Sequence, residues 1–281
     1  MALADPAPRL IALHQQLPLR RYLAEMWARR DFAVALPAEQ LRASHQNTLL
    51  GNLWHLANPL LSTAVYYLIF VVILKLNRGV DNTIVWLMAG IFGFGLTSKC
   101  VSGGASSIAN GQGLMRAVRF PRALLPLSVV VAQLMTFGFQ LAILVIVTLA
   151  TGESPSWRWL ALPAVVVGHS LLNLGAALVA ARLNDSFRDV ENIIPFVMRL
   201  TSYMSGVMFP IARFVDEDEH GWIATVIKLN PMIALLDLYR WVFLGLSVTA
   251  DELTRLAVAT AVLLVFGFYF FRAAESRYGR S

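Results

Sequence analysis

The stretch ALLPLSVVVAQLMTFGFQLAILVIVTLA, residues 123–150, contains no Asp, Glu, Lys or Arg and decides the fold class. About 20 consecutive apolar helical residues cross a bilayer core about 30 Å thick, so this stretch is long enough to cross and to tilt or protrude. In hydrocarbon, a single segment satisfies its own backbone N–H and C=O groups only as a helix. The sequence therefore predicts an all-α integral membrane protein.

The composition agrees with this class. Hydrophobic residues make up 57% of the chain and charged residues 14%, against about 25% charged in soluble domains. The predicted domains are an amphipathic N-terminal segment (1–57), a six-helix membrane domain (58–271) and a short tail (272–281). The six predicted spans cover residues 58–76, 83–101, 123–150, 159–181, 193–211 and 253–271.

Residues 214–245 have a different pattern. An acidic run, Asp216–Glu219, precedes two short semi-apolar stretches that Asn230-Pro231 separates. Each stretch is too short to span, and both suit a re-entrant or interfacial helical pair buried by protein. A plain external loop with a surface helix is the alternative.

Six spans place both termini on one side of the membrane. That side holds twice as many of the 23 Lys and Arg residues as the other. The side richer in Lys and Arg faces the cytoplasm, so both termini are predicted to be cytoplasmic. The net charge of +6 fits loops near anionic lipid, and nucleic acid is not an expected partner.

The N-terminal segment has the pattern of an interfacial helix. Apolar residues that include Trp27 share one helical face, and four arginines lie beside it: Arg20, Arg21, Arg29 and Arg30. Such helices lie in the plane of the membrane surface. A second helix is predicted to open at Pro37, because proline suits a first-turn position. A cytosolic cap packed on the bundle is the alternative.

The sequence argues against an enzyme. A phosphate loop needs G-x-x-x-x-G-K-[ST] after a strand, and the nearest approach, Gly93–Cys100, places Ser98 and Cys100 where glycine and a hydroxyl are required. The chain is therefore not expected to hydrolyse ATP. No catalytic residue, bound cofactor or metal site is predicted, since the single cysteine and five histidines form no ligand cluster.

Two loops carry the more informative residues. Residues 106–128 leave span two through a short basic amphipathic piece that contains two prolines, and residues 184–190 connect spans four and five. Charged loops of this kind either anchor the protein at the membrane or present a short helix to a soluble partner.

Arg199 lies inside span five, where a charge costs about 2.5–3.5 kcal/mol unless it faces a cavity or finds a partner. We expect it to face a translocation path, and snorkelling to the surface is the alternative. Aromatic rings in spans one, two and five could stack on sugars or simply pack the core. These rings are Tyr66, Tyr67, Phe70, Phe92, Phe94, Phe196 and Tyr203.

Short motifs occur at four places along the chain. LGNLWHLANPLL (50–61) enters span one, SIAN (107–110) precedes FPR (120–122), FRDV (187–190) follows span four, and Asn230-Pro231 precedes YRW (239–241). With these motifs the chain resembles the permease subunit of polysaccharide ABC exporters, the Wzm-like group of the type-two ABC exporter class. The Ala- and Arg-rich composition favours an actinobacterial homologue, where similar exporters move galactan.

The resemblance implies a homodimer in the bacterial cytoplasmic membrane, bound to two Wzt-like ATPase subunits that hold ATP and Mg²⁺. The cargo would be a polyprenyl-pyrophosphate-linked polysaccharide such as O-antigen or galactan, on a path lined by spans one, two and five. Members of the class also move teichoic acid, other lipids or drugs. A membrane-embedded enzyme of polyprenyl-linked sugars and an ATPase-independent channel are more distant alternatives.

The resemblance also implies residue roles. The loops would be coupling helices seated in grooves of the ATPase, and the N-terminal amphipathic segment, with the four arginines and Trp27, would be a gate helix. Arg199 departs from the family pattern, because an uncharged residue is usual there. The predicted coupling residues are Arg116, Arg119, Phe120, Pro121, Arg122, Phe187, Arg188 and Asp189.

Overall fold

The computed structural model describes residues 18–43, 53–73, 82–209, 227, 229–275 and 278. Within this part every regular element is a helix. A π-helical segment, Leu68–Ile73, follows α3, and a 3-10 helix, Trp157–Ala161, leads into α7. The α-helices are α1 (Leu19–Ala28), α2 (Arg30–Ala43), α3 (Trp54–Tyr67), α4 (Thr83–Asn110), α5 (Gln112–Ala117), α6 (Leu124–Ala150), α7 (Leu162–Ser186), α8 (Val190–Met204), α9 (Pro231–Leu244) and α10 (Ala250–Ala273).

Four helical segments are long and apolar enough to cross a bilayer: Thr83–Asn110, Leu124–Ala150, Trp157–Ser186 and Ala250–Ala273. They correspond to the second, third, fourth and sixth predicted spans, although α4 continues past its predicted end to Asn110. The first and fifth predicted spans correspond to α3 with its π-helical extension and to the 15-residue α8. For these two elements the assignment as spans stays a prediction.

The predicted helix start at Pro37 is wrong. Pro37 lies inside α2, which begins at Arg30 directly after a break at Arg29. A proline inside a helix removes one backbone hydrogen bond. Helix α2 continues through Pro37 and packs along α6. The rest of the expected second helix, residues 44–52, lies outside the described residues.

Small residues of α7 let this helix touch its neighbours at the backbone, as is common between membrane helices. A Cβ atom on Gly104 of α4 would lie 2.7 Å from the Cβ of Ala177. A Cβ atom on Gly175 would lie 2.7 Å from the backbone of Leu263 and Leu264 in α10, and one on Gly267 would meet the backbone of Gly175. Helix α7 is therefore the centre of the bundle.

A chain of polar side chains joins three helices in the core. His169 of α7 is fully buried, and its Nε2 lies 2.8 Å from Oγ1 of Thr97 in α4. Its Nδ1 lies 3.1 Å from the hydroxyl of Tyr239 in α9. Because hydrogen-bonded polar groups are tolerated in a dry core, this chain fixes α9 against α4 and α7.

Helix α9 is buried in the bundle and is not a surface helix. Asn230 caps it, accepting a hydrogen bond from the Met232 N–H. Arg240 is 3% exposed, lies over the ring of Trp86 at 3.6 Å, and donates to the Gly206 carbonyl oxygen at 2.7 Å. The first stretch of the predicted helical pair falls mostly outside the described residues.

The glycine contacts generate a prediction. Replacing Gly175 by valine should lower the free energy of unfolding by about 1–3 kcal/mol, because the side chain would collide with the backbone of α10. Gly168 is the matched control, since it lies on the same helix and a Cβ there meets nothing within 4 Å. Thermal unfolding of the purified protein in detergent measures both. Equal midpoints for the two variants would contradict the packing described.

Candidate functional site

Three parts of the chain meet at one end of the bundle, which we call the basic end: residues 111–123, residues 184–190, and the segment that follows α10. A break at Gly111 separates α4 from the short helix α5. A Cβ atom on Gly111 would lie 2.5 Å from the Leu125 side chain and 3.0 Å from the Ser107 carbonyl oxygen, so a larger residue would require the Leu125 side chain to move. The chain then turns through an extended Val118 before α6 begins.

The first loop has an exposed side and a buried side. Arg116 and Arg119 are exposed. Phe120 is half-buried, and its ring centre lies 5.1 Å from that of Phe32 in α2. Pro121 is buried and Arg122 half-buried. Phe120, Pro121 and Arg122 thus anchor the loop. Arg116 and Arg119 are exposed to solvent.

The second loop is anchored by Asn184. Its side-chain NH₂ donates to the Ala105 carbonyl at 3.0 Å, and its oxygen accepts from the Glu191 N–H at 3.0 Å. Beyond this anchor Phe187, Arg188 and Asp189 are all exposed, and Phe187 is 69% exposed. Aromatic residues are enriched in protein–protein interfaces, so an exposed Phe187 followed by Arg188 and Asp189 suits contact with a protein partner.

Glu275 joins the N-terminal helix to the first loop. The Tyr22 hydroxyl donates to Glu275 Oε1 at 3.0 Å, and the Arg122 N–H donates to the same oxygen at 2.9 Å. The Arg122 guanidinium donates to the Glu275 carbonyl oxygen, and the Ala123 N–H donates to the Tyr22 hydroxyl at 3.3 Å. We call this set the Tyr22–Glu275 junction.

Burial sets the electrostatics of the junction. It raises the pKa of Glu275, and the hydrogen bonds from Arg122 N–H and Tyr22, with the nearby charges of Arg122 and Arg272, oppose that rise. Burial, followed by the negative charge of Glu275, raises the pKa of Tyr22. The Tyr22 hydroxyl therefore stays protonated and remains a donor to the carboxylate.

The predicted gate residues are exposed on α1 and at its junction with α2. Tyr22 is 3% exposed and packs inward, whereas Trp27 is 72% exposed. The Arg30 guanidinium lies 5.2 Å from the centre of the Trp27 ring. The four predicted arginines are all exposed: Arg20, Arg21, Arg29 and Arg30. An aromatic ring with cations around it suits a surface of anionic headgroups.

The predicted path residues divide into two groups. Phe196, Arg199 and Tyr203 of α8 are exposed, and Tyr66 and Tyr67 of α3 are half-buried. By contrast, Phe92 and Phe94 of α4 are 1% and 7% exposed and belong to the core, which favours the packing alternative for these two rings. The backbone of Phe70 lies in the π-helical segment, and its side chain is outside the described residues.

Glu275 and Phe32 were not among the predicted site residues. Nothing in the local pattern marks either residue, because their partners lie far away along the chain.

The arrangement at the basic end suits binding of a partner. Among the described residues, no group of three or more His, Cys, Asp or Glu side chains could hold a metal ion. The basic end has an exposed cationic and aromatic surface, which is formed by residues 111–123 and 184–190.

Known proteins resemble this chain over most of its length. The ABC-2 type transporter family matches residues 34–244. The O-antigen export system permease protein RfbA of Myxococcus xanthus is 29% identical over 262 residues, which cover 93% of this chain and 99% of the relative. A protein of the same name from Klebsiella pneumoniae is 26% identical over 250 residues, covering 88% and 93% of the two chains.

The family match covers more than half of the chain and both loops of the basic end. It also agrees with the four long apolar helices, and it confirms the resemblance to the type-two ABC exporter class. The chain is therefore a multi-pass membrane protein and belongs to the ABC-2 type transporter family.

Proposed function

We propose that the chain is the membrane permease subunit of an ATP-driven exporter of a polyprenyl-pyrophosphate-linked polysaccharide. The observation that carries this proposal is the similarity to O-antigen export permeases of two organisms, which extends over 99% of the M. xanthus relative. The galactan expected from the composition is one cargo within this class. The permease would act as a homodimer with two ATPase subunits that bind ATP and Mg²⁺.

The coupling surface would be the exposed part of the basic end. Arg116, Arg119, Phe187, Arg188 and Asp189 would contact the ATPase, and Phe120, Pro121 and Arg122 would hold the first loop in place. The exposure of Phe187 beside the Asn184 anchor supports this division. Residues 187–189 would transmit a movement of the bound ATPase to α7 and α8, because the Asn184 hydrogen bonds hold this segment to both helices.

The path would be lined by the exposed faces of α3 and α8, with Phe196 and Tyr203 as stacking platforms for sugar rings. Phe92 and Phe94 would support this wall from the core.

The first test compares two exposed apolar side chains at opposite ends of the bundle. Phe187→Ala should weaken binding of the ATPase by about 2 kcal/mol, typical of a central aromatic anchor, or about thirtyfold. ATP-dependent movement of lipid-linked polysaccharide into inverted vesicles should fall in parallel. Leu160→Ala is the matched control, because Leu160 is 84% exposed at the other end.

Vesicles that move the polysaccharide without any ATPase partner would refute the exporter assignment. ATP-dependent movement of teichoic acid, another lipid or a drug into the vesicles would support an ATP-driven exporter and would contradict the polysaccharide as its cargo.

We also propose six spans, with both termini cytoplasmic and residues 58–271 as the membrane domain in the bacterial cytoplasmic membrane. Helices α3 and α8 would be the remaining two spans, and α9 would be the second member of a re-entrant pair. The basic end would then face the cytoplasm, as the distribution of Lys and Arg predicts.

Cysteine labelling tests this orientation. Cys100 is fully buried, so the native thiol should not react. A membrane-impermeant maleimide on intact cells should label Leu160→Cys and leave Arg119→Cys and Asp189→Cys unlabelled until the membrane is opened. Labelling of Arg119→Cys and Asp189→Cys from opposite sides would overturn the proposed topology.

Helix α1 would act as the gate helix at the cytoplasmic surface. The Tyr22–Glu275 junction supports this role, because it ties α1 to the loop that contacts the ATPase. A shift of residues 119–122 would be passed directly to α1. The exposed arginines and Trp27 would meet lipid headgroups where the substrate enters.

Substitutions of Glu275 test this connection. Glu275→Ala should lower the free energy of docking of α1 on the bundle by about 1–3 kcal/mol, because the Tyr22 hydroxyl and the Arg122 N–H lose their acceptor. Helix α1 should then detach more often, and trypsin should cut faster at Arg20, Arg21, Arg29 and Arg30. Glu275→Gln keeps an acceptor oxygen and serves as the control. Cleavage of Glu275→Ala at the wild-type rate would show that the junction does not hold α1.

A further inference from the structure

Helix α8 has few contacts along its length. Among its residues, all of which the structure describes, Ile194 alone is buried, in one core cluster with Val101 and Ala105 of α4. Large apolar side chains are exposed on the rest of the helix: Ile193, Phe196, Val197, Leu200 and Tyr203. The position of α8 therefore depends on how its two ends are held.

The end of α8 at the basic end is held by Asn184 of α7. The side-chain oxygen of Asn184 accepts from the Glu191 N–H, and its NH₂ group donates to the Ala105 carbonyl oxygen of α4. Pro195 lies one turn beyond Glu191 and removes one backbone hydrogen bond of α8. The helix is thus fixed at residue 191 and can bend directly beyond this attachment.

The far end of α8 is held by side chains of α9, and we call these contacts the far clamp. Ser205 is fully buried, and its Oγ accepts a hydrogen bond from the Asn230 side chain at 2.9 Å. Gly206 follows with φ of +65°, and its carbonyl oxygen accepts from the Arg240 guanidinium at 2.7 Å. Two side chains of α9 therefore bind two consecutive residues where α8 ends.

Arg240 is itself held in a fixed position. Its guanidinium pairs with Asp237 at 2.9 Å and lies over the Trp86 ring of α4. Directly after the far clamp the chain touches α4, because a Cβ atom on Gly90 would lie 2.7 Å from the Val207 carbonyl oxygen. Loss of a partner leaves a buried charge uncompensated at a high cost. The far clamp therefore joins α8, α9 and α4.

The two attachments of α8 are separated by most of the length of the bundle. Ala105 and Gly90 mark their levels on α4 and lie 15 residues apart, which corresponds to about 22 Å. Helix α8 also contains 15 residues and so covers the same distance. Rigid secondary elements carry coupling between distant sites. A helix that is held at both ends and has little packing between them is well suited to this task.

We propose that α8 transmits a movement of residues 187–189 to α9 at the far end, and that Asn230 and Arg240 are the positioning residues that make this possible. Neighbouring helices take up little of the movement, because Ile194 is the one buried side chain of α8. The source of the movement, ATP binding by a partner subunit, rests on the proposed function. The two attachments rest on the contacts described above.

Cysteine reactivity at the far end tests the proposal in the permease–ATPase complex in nanodiscs. Leu229→Cys is the reporter, because Leu229 is 66% exposed and adjoins Asn230. ATP bound to a hydrolysis-deficient ATPase subunit should change its rate of maleimide labelling by about fivefold, the lower end of typical coupling between sites. Leu149→Cys is the control reporter and should not respond, because Leu149 is 45% exposed at the same end on α6, outside the far clamp.

Two serines in the last turns of α8 form a matched pair of variants. The hydroxyls of Ser202 and Ser205 both donate to a carbonyl oxygen of α8 at 2.6 Å, and Ser205 also accepts from Asn230. Ser205→Ala should lose most of the ATP response of the reporter, and Ser202→Ala should keep it. Arg240→Gln should lose the response, whereas Arg240→Lys, which keeps the charge and a donor, should restore part of it.

A purely structural role of Arg240 would give a different result. Arg240→Gln would then lower the thermal midpoint and leave the ATP response of the folded protein unchanged. If Arg240→Gln does not assemble, Ser205→Ala, which removes a single oxygen atom, provides the same test.

The permease without its partner provides a test that does not depend on the proposed function. Asn184→Ala releases the attachment at the basic end and should change the labelling rate of Leu229→Cys at the far end. Adding Ser205→Ala should remove this effect, because coupled residues show non-additive changes. Additive effects of the two substitutions would overturn the proposal.

In the complex, an unchanged ATP response in Ser205→Ala and Arg240→Gln would overturn the proposal, as would a wild-type reporter that does not respond to ATP. An ATP response that requires the far clamp, in a complex that moves no polysaccharide, would refute the proposed cargo and leave the transmission intact.

Discussion

Backbone contact between helices at Gly104, Gly175 and Gly267 is the constraint on which the rest of the bundle depends. Lipid provides no hydrophobic force between helices, so close packing must supply the attraction. Helix α7 meets both α4 and α10 in this way. Because α7 is held so closely, His169 comes within hydrogen-bond distance of Thr97 and Tyr239, and this polar chain in turn places α9.

The same central helix positions the basic end. Helix α7 ends beside Asn184, whose side chain sets α4 and α8 at one level and leaves residues 187–189 as a fixed, exposed corner. At the same end of the bundle, the segment after α10 holds the first loop and α1 together through Glu275. The two proposed coupling loops are thus supported by different contacts, so a partner that moves them would act on two separate parts of the bundle.

Much of this structure could be predicted from the sequence, and the failures have physical causes. The span at 123–150 was predicted to within a residue of α6, because no charge or polar cluster interrupts its apolar run. Phe92 and Phe94 could not be distinguished from residues that line the path, since aromatic residues at helical spacing occur both in a packed core and along a transport path. Pro37 suggested a helix start because the packing of α2 on α6 leaves no mark in the local sequence. Glu275 was not predicted as a site residue, because its partners Tyr22 and Arg122 lie far away along the chain.

The distance along the chain between Tyr22 and Glu275, 253 residues, also bears on biogenesis. Helix α1 leaves the ribosome first, yet its acceptor is made only after α10. Until then the Tyr22 hydroxyl lacks the Glu275 carboxylate as its acceptor. Because Glu275 is synthesised after every helix of the bundle, this contact forms at the end of assembly. Docking of α1 therefore marks a chain whose last helix is in place.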